Sequence, residues 1–281
     1  DLLFIITFHM GVGGAAWATV LSQGVSGLLC LGYAWRRFPL LRMEKRHWTF
    51  DWSYAWKHLR LALPMAMQFV ITGTSVLVNQ AVLNLFGSAA VAAFSAASKI
   101  HMLSEQVAVS FGTAMATYAG QNYGAGKAGR VREGLRKCAL ACEAITLGIM
   151  VIMTAFGGVM SSWFIDGYHP EVIQQAHLYL FISALFYPAL TMLFLYRNTL
   201  LGLGNGVTPM LAGVCELLSR MIGAPVLGHF FGFTGLCWIN PIAWVTASGL
   251  LFLSYRKTMR NIRPVDPTVD ASDSRSEEHT S

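Results

Sequence analysis

Long apolar stretches alternate with short polar segments along the chain, at residues 12–35, 59–86, 89–119, 139–163, 172–203, 207–228 and 235–255. A helix needs roughly 20 apolar residues to cross about 30 Å of hydrocarbon at ~1.5 Å per residue, so each stretch is predicted to span a bilayer as a helix. Residues 89–119 exceed that length and are expected to tilt or to project beyond the lipid. Residues 1–9 read as the end of a further helix, so the chain is expected to continue upstream of Asp1. The predicted fold class is all-α integral membrane.

Composition supports this class. Of 281 residues, 54% are hydrophobic and 12% charged, and the mean hydropathy is +0.50. The net charge of +6 raises the question of nucleic acid, but 16 of the 20 Lys and Arg fall in three loops that each follow an apolar span. These are 36–60, 127–137 and 256–263, whereas 161–171 carries none. Such asymmetry reports orientation in a membrane, with the basic loops and the C-terminus cytoplasmic, and it removes the reason to invoke nucleic acid. The five cysteines lie in or near apolar stretches without metal-type spacing and read as packing thiols. The eight histidines form no HExxH pair and have no fixed acidic partner, so neither a zinc site nor a hydrolytic triad is supported. Gly120 to Lys127 resembles a P-loop, but it has five residues between the glycines, Ala128 after the Lys, and a helix before it, so it reads as a helix-terminating turn.

Residues 38–57 are too polar to cross. Trp48, Trp52 and Trp56 at i, i+4 and i+8 predict a helix lying in the interface. An internal repeat flanks the centre of the chain. Gly11, Gly14 and Trp17 match Gly232, Gly235 and Trp238 at an offset of 221, and Gly27-Leu28-Leu29 and Tyr33 match Gly249-Leu250-Leu251 and Tyr255 at 222. Both copies end in a basic pair, so they point the same way across the membrane and the repeating unit is six helices. The expected organisation is the end of a first lobe at 1–37, an interlobe linker at 38–58, a complete six-helix lobe at 59–258 and a disordered tail at 259–281, of which 275–281 reads as adapter-derived.

Polar side chains inside apolar spans are costly and point to function. Gln68, Thr72, Ser75 and Asn79 fall at i, i+4, i+7 and i+11, with Gln80 beside them, so one face of that helix is wet or paired. In the next span Ser95, Lys99 and Gln106 mark one stripe, and Ser98, His101 and Glu105 an adjacent one. The reading open for both helices is a hydrated cavity or interhelical hydrogen bonding. Glu216 and Arg220, at i and i+4, can neutralise each other near the cytoplasmic end, joined by Arg197 and Asn198, as a structural charge cluster or a gate. Glu143 is expected to pair with Lys137 at the interface, and Pro188 to kink its helix.

At this point the residues resemble a known family, the multidrug and toxic compound extrusion (MATE) transporters, over about residues 1–258. The resemblance rests on Gly11-Val-Gly-Gly-Ala-Ala-Trp-Ala-Thr19 with Ser22-Gln23, on Leu63-Pro64, and above all on Gly120-Gln-Asn-Tyr-Gly-Ala-Gly-Lys127 with Arg130. Arg197-Asn198 with Gly202-Leu-Gly204, and Glu216-Leu-Leu-Ser-Arg220, complete it. It implies helices six to twelve of a twelve-helix, two-lobe transporter that opens as a V and exports drugs against inward Na⁺ or H⁺. Some members use an acidic residue about eight positions after the Pro of helix seven, and an Asp in helix ten. Here the first position is Thr72 and residues 181–198 contain no acid, which resembles the branch with its coupling Asp in helix one.

The resulting expectation is a plasma- or inner-membrane antiporter for amphipathic, cationic organic compounds. It needs no cofactor beyond the coupling ion and works with an N-terminal lobe of the same chain. Gln68, Thr72, Asn79, Gln80, Lys99 and Gln106 are expected to line the substrate cavity, with Met65, Met67, Phe69 and Met102 as adaptable apolar contacts. Glu105, Arg197, Asn198, Glu216 and Arg220 are expected to form the gating or charge network. A lipid-linked glycan flippase, a membrane-embedded enzyme using His101 and Glu105, and a non-transporting receptor remain as alternatives.

Overall fold

The computed structural model describes residues 3–39, 49–165, 167 and 169–261. Among them every regular element is helical, and the chain divides into two units, Asp1–Ala55 and Trp56–Ser281. In the first unit a short π-helix, Leu3–Thr7, precedes α1 (Gly11–Arg37). The second is built from α2 (Trp52–Leu83), α3 (Gly87–Gly124), α4 (Ala128–Ser162), α5 (Pro170–Leu185), α6 (Tyr187–Gly202) and α7 (Val207–Asn261). Four stretches are long and apolar enough to cross a membrane, with the bent pair α5–α6 as a fifth. Two of these stretches are each interrupted at a glycine. Gly87 (φ 86°) separates α2 from α3, and Gly232 (φ 59°, ψ −142°) breaks α7 into arms at 207–231 and 233–261. Only glycine adopts such angles without strain, so these two residues set where the chain turns back.

The two copies of the repeat share this local geometry. Gly11 (φ 55°) and Gly232 (φ 59°) are both left-handed, and three residues later Gly14 and Gly235 press against the segment just before the turn. An added Cβ would sit 3.0 Å from the Phe4 carbonyl oxygen in the first copy and 2.0 Å from that of Leu227 in the second. In each case the preceding chain folds back on the start of the next helix, and a side chain would force the two apart.

Small residues let the core helices approach closely. Along α3, Ala93, Ala97, Ala108, Gly112 and Ala119 are buried, which suits packing where lipid supplies no hydrophobic drive between helices. A Cβ at Gly202 would lie 2.3 Å from the Ala116 carbonyl oxygen, so α3 and α6 touch backbone to backbone. On α4 the buried stripe Val131, Leu135, Cys142, Thr146, Met153 and Gly157 packs inward, and Thr146 Oγ1 lies 3.1 Å from Thr191 Oγ1 on α6. The stretch 172–203 is broken at Phe186, where α5 and α6 meet at 54°. Pro188 lacks an amide hydrogen and its ring crowds the preceding turn, so the ladder fails just before it.

Contacts define the two ends of this unit. At one, Phe86 beside the Gly87 turn packs on Gly228 and on the cluster of Leu83, Ala90, Leu236 and Ile239. At the other, Gly206 packs on Leu61, Tyr196 on Tyr255, and Arg132 acts electrostatically on Tyr255. The basic starts of α2 and α4 and the basic end of α7 therefore share one end.

Three sequence expectations change here. The interfacial helix falls partly on residues 40–48, which lie outside the described residues, and Trp52 and Trp56 stand on the first turns of α2 itself. Lys137 donates to Glu133 at 2.7 Å rather than pairing with Glu143. That exposed bond holds the Glu133 carboxyl below and the Lys137 ammonium above their ordinary values. Of the tail, 259–261 extend α7 and the rest lies outside the described residues.

Candidate functional site

The i, i+4, i+7 face of α2 is turned toward α7. Gln68 packs against Gly213, and Ser75 Oγ accepts from Arg220 Nη1 at 2.7 Å. Between these helices lies a cavity of about 330 Å³. Thr72, Asn79 and Gln80 of α2 line it together with Ser98, His101 and Glu105 of α3, Tyr179 of α5, and Arg197 of α6. The α7 arms contribute Glu216 and Arg220 from one and Asn240 and Trp244 from the other.

Its charges are organised by one carboxylate. Glu216 Oε1 accepts from Arg197 Nη2 across the α6–α7 interface, and Glu216 Oε2 lies 3.6 Å from Arg220 Nη1 one turn along α7. All three side chains are buried. An unpaired charge at such depth would cost several kcal/mol, on the order of the buried-pair losses seen elsewhere, so the two guanidiniums and the carboxylate stabilise one another. Arg220 also donates from Nε to Asn240 Oδ1 at 3.1 Å, and Asn240 Nδ2 donates to Tyr179 Oη at 3.1 Å. One guanidinium thus ties α2, both arms of α7 and, through Asn240, α5.

An aromatic shelf stands beside this network. His101 stacks on Trp244, with ring centroids 5.4 Å apart and planes 16° apart, and its Nδ1 is 2.9 Å from Tyr187 Oη. Glu105 Oε2 is 4.0 Å from His101 Nε2. The Glu105 side chain keeps 34% of its surface open on the cavity wall.

The predicted cavity residues divide. Thr72, Asn79 and Gln80 line the cavity. Gln68 is buried against Gly213 instead. Lys99 and Gln106 belong to the stripe of α3 that faces outward, and Lys99 Nζ sits 5.4 Å from the Phe164 ring centroid. A long stem on the outer face reaches an aromatic ring rather than the wet interior. The Met residues expected as apolar lining, Met65, Met67 and Met102, together with Phe69, do not line the cavity, and Phe69 is 73% exposed. In the charge network Arg197, Glu216, Arg220 and Glu105 come together. Asn198 does not join them; its Nδ2 donates to the Phe194 carbonyl oxygen at 2.9 Å and abuts Gly112. The network also lies deeper than expected, since Glu216 is about nine residues, roughly 14 Å, from the start of α7.

Tyr179, Asn240 and Trp244 were not singled out as site residues by sequence, whereas Ser75 was named there as part of the polar α2 face and is paired with Arg220. Asn240 carried a usable signal, being a polar residue inside an apolar span next to Pro241.

Comparison with known proteins places this architecture. Multidrug resistance relatives are typified by the Probable multidrug resistance protein YpnP of Bacillus subtilis, 30% identical over 256 residues, covering 89% of this chain and 54% of YpnP. The chain thus spans about half the length of the curated relatives it matches. A MOP superfamily transporter from Pyrococcus furiosus superposes with a TM-score of 0.84 at 20% identity, covering 93% of this chain and 59% of that one. An outward-facing multidrug resistance MATE family transporter gives 0.85 at 20% identity, with the same coverage. The MatE family model matches residues 64–226, more than half of the chain, and the chain belongs to the MATE family of multi-pass membrane transporters.

Proposed function

We propose that the protein of which this chain forms part is a secondary antiporter that exports amphipathic organic cations in exchange for inward Na⁺ or H⁺. The observation that carries the reading is the cavity, in which hydrogen-bonding groups of α2 and an ion-pair network of α6 and α7 are held between helices that are otherwise apolar. Such a site is expensive to keep dry and empty in a membrane, and it gives a hydrated solute a place to bind at mid-depth. Phe94, Phe194 and Trp244 supply flat apolar surface, while Thr72, Asn79 and Gln80 supply weakly directional hydrogen bonds, a combination that accepts varied ligands. In this reading the end carrying the basic starts of α2 and α4 and the basic end of α7 is cytoplasmic. A second lobe of the same protein completes the cavity wall, and the two lobes rock about the bound compound.

The test is export of a fluorescent cationic dye from vesicles containing the full-length protein, with a pH gradient, a Na⁺ gradient or neither. Gradient-driven efflux that falls in Asn79→Ala and Gln80→Ala is expected. Absence of efflux under every gradient would refute the reading.

A further inference from the structure

Three of the four formal charges in the cavity are committed to one another. Both guanidiniums, Arg197 and Arg220, converge on Glu216. Glu105 is the fourth, and its ion-pair neighbour among the described residues is His101 at 4.0 Å, beyond hydrogen-bond reach. With a neutral imidazole the cavity sums to zero when Glu105 is ionised and to +1 when it is protonated. An organic cation entering the first state meets an ionised carboxylate, influenced by Arg197 and Arg220 but bonded to neither, in a cavity that Phe194 and Trp244 also line; entering the second, it meets surplus positive charge.

We infer that Glu105 is where a proton and the exported organic cation exclude one another. This rests on the transport reading above and adds the residue that couples the two fluxes. The exchange balances at this site: the carboxylate gives its proton to water on the inner side and takes the cation, then takes a proton from the outer medium as the cation leaves. One positive charge moves in for each that moves out. The family pattern described for helices seven and ten places acids where this chain has Thr72 and no acid, whereas Glu105 stands on α3.

The groups facing Glu105 are known. His101 shares its helix, Arg197 and Tyr187 come from α6, Tyr179 from α5, and Glu216 and Arg220 from the first arm of α7. From α2 come the uncharged Thr72, Asn79 and Gln80, and from the second arm of α7 the uncharged Asn240 and Trp244. Glu216 is held by two arginines, which leaves His101 as the competing titrating group.

The experiment is equilibrium binding of ethidium to the purified full-length protein from acid to alkaline pH. The wild type should lose affinity by about tenfold per pH unit on the acid side of the carboxylate titration. Glu105→Gln should bind weakly with less than about twofold change across the range, Glu105→Asp should keep the slope with a displaced midpoint, and His101→Gln should keep the pH slope whatever it does to the affinity itself. Asn79→Ala should weaken binding at every pH without changing the slope. A wild-type slope in Glu105→Gln, its loss in His101→Gln, or an unmoved midpoint in Glu105→Asp would overturn the assignment. Should Glu105→Gln not fold, the Asp variant carries the test. Efflux by the wild type with any of those results refutes only this inference; no ethidium binding and no efflux at any pH refutes the transport reading as well.

Discussion

Glu216 is the residue on which the site depends most. It is buried between Arg197 and Arg220, and Arg220 in turn holds Ser75 and Asn240. Glu216→Gln leaves two buried cations without a counter-charge. It should cost about 3–5 kcal/mol, read as a lowered unfolding midpoint in detergent. Replacing all three by apolar residues of similar volume should cost far less, because no charge is then stranded. The spacing of Glu216 and Arg220 made their pairing legible in the sequence, and Arg197 could be nominated as a partner. Asn198, its neighbour, was misplaced because adjacent helical residues point about 100° apart. Arg197 faces α7 while Asn198 faces Gly112 of α3. The same ambiguity separates Lys99 and Gln106, which stand on the exposed stripe of α3, from the residues that line this cavity. Periodicity separated two polar stripes on α3, but only packing could show which one faced inward.

Among the elements, the breaks carry as much information as the helices. Gly202→Ala would place a Cβ 2.3 Å from the Ala116 carbonyl oxygen, a backbone atom that cannot yield without separating α3 from α6. The expected loss is about 1–3 kcal/mol, measured by thermal unfolding, against less than about 0.5 kcal/mol for Gly249→Ala, where an added methyl meets open space. Gly232→Ala should lose a similar about 1–3 kcal/mol for a different reason, since its backbone angles exclude side chains. A Gly249→Ala variant as damaging as Gly202→Ala would refute the packing account. The matched glycines at 11 and 232, and at 14 and 235, were visible as a sequence repeat, but their use, a left-handed turn followed by a backbone approach, depends on how the preceding segment folds back. Pro188 signalled the bend between α5 and α6, although the ladder fails at Phe186.

At the scale of the molecule, apolar length and the bias of Lys and Arg made the class legible, and the motifs, above all Gly120 to Lys127, made the resemblance to the family legible. The cavity was half legible. Its α2 wall follows from one helical face, whereas the Tyr179, Asn240 and Trp244 wall depends on how α5 and the returning arm of α7 fold against it. Because Arg132 and Tyr255 lie at one end of the second unit, cysteines introduced at Ala128 and Thr258 should react with an impermeant maleimide from the same side of intact cells. Labelling from opposite sides would refute the packing of that unit. The central claim is that the transported compound occupies the cavity between α2, α3 and α7. Its most direct test is maleimide labelling of Gln80→Cys in the full-length protein, with its native cysteines replaced, the five of this chain among them, in the presence and absence of a cationic dye. The account predicts that the dye protects position 80 and leaves the outward-facing Leu77→Cys reactive; equal labelling of Gln80→Cys at saturating dye would contradict it.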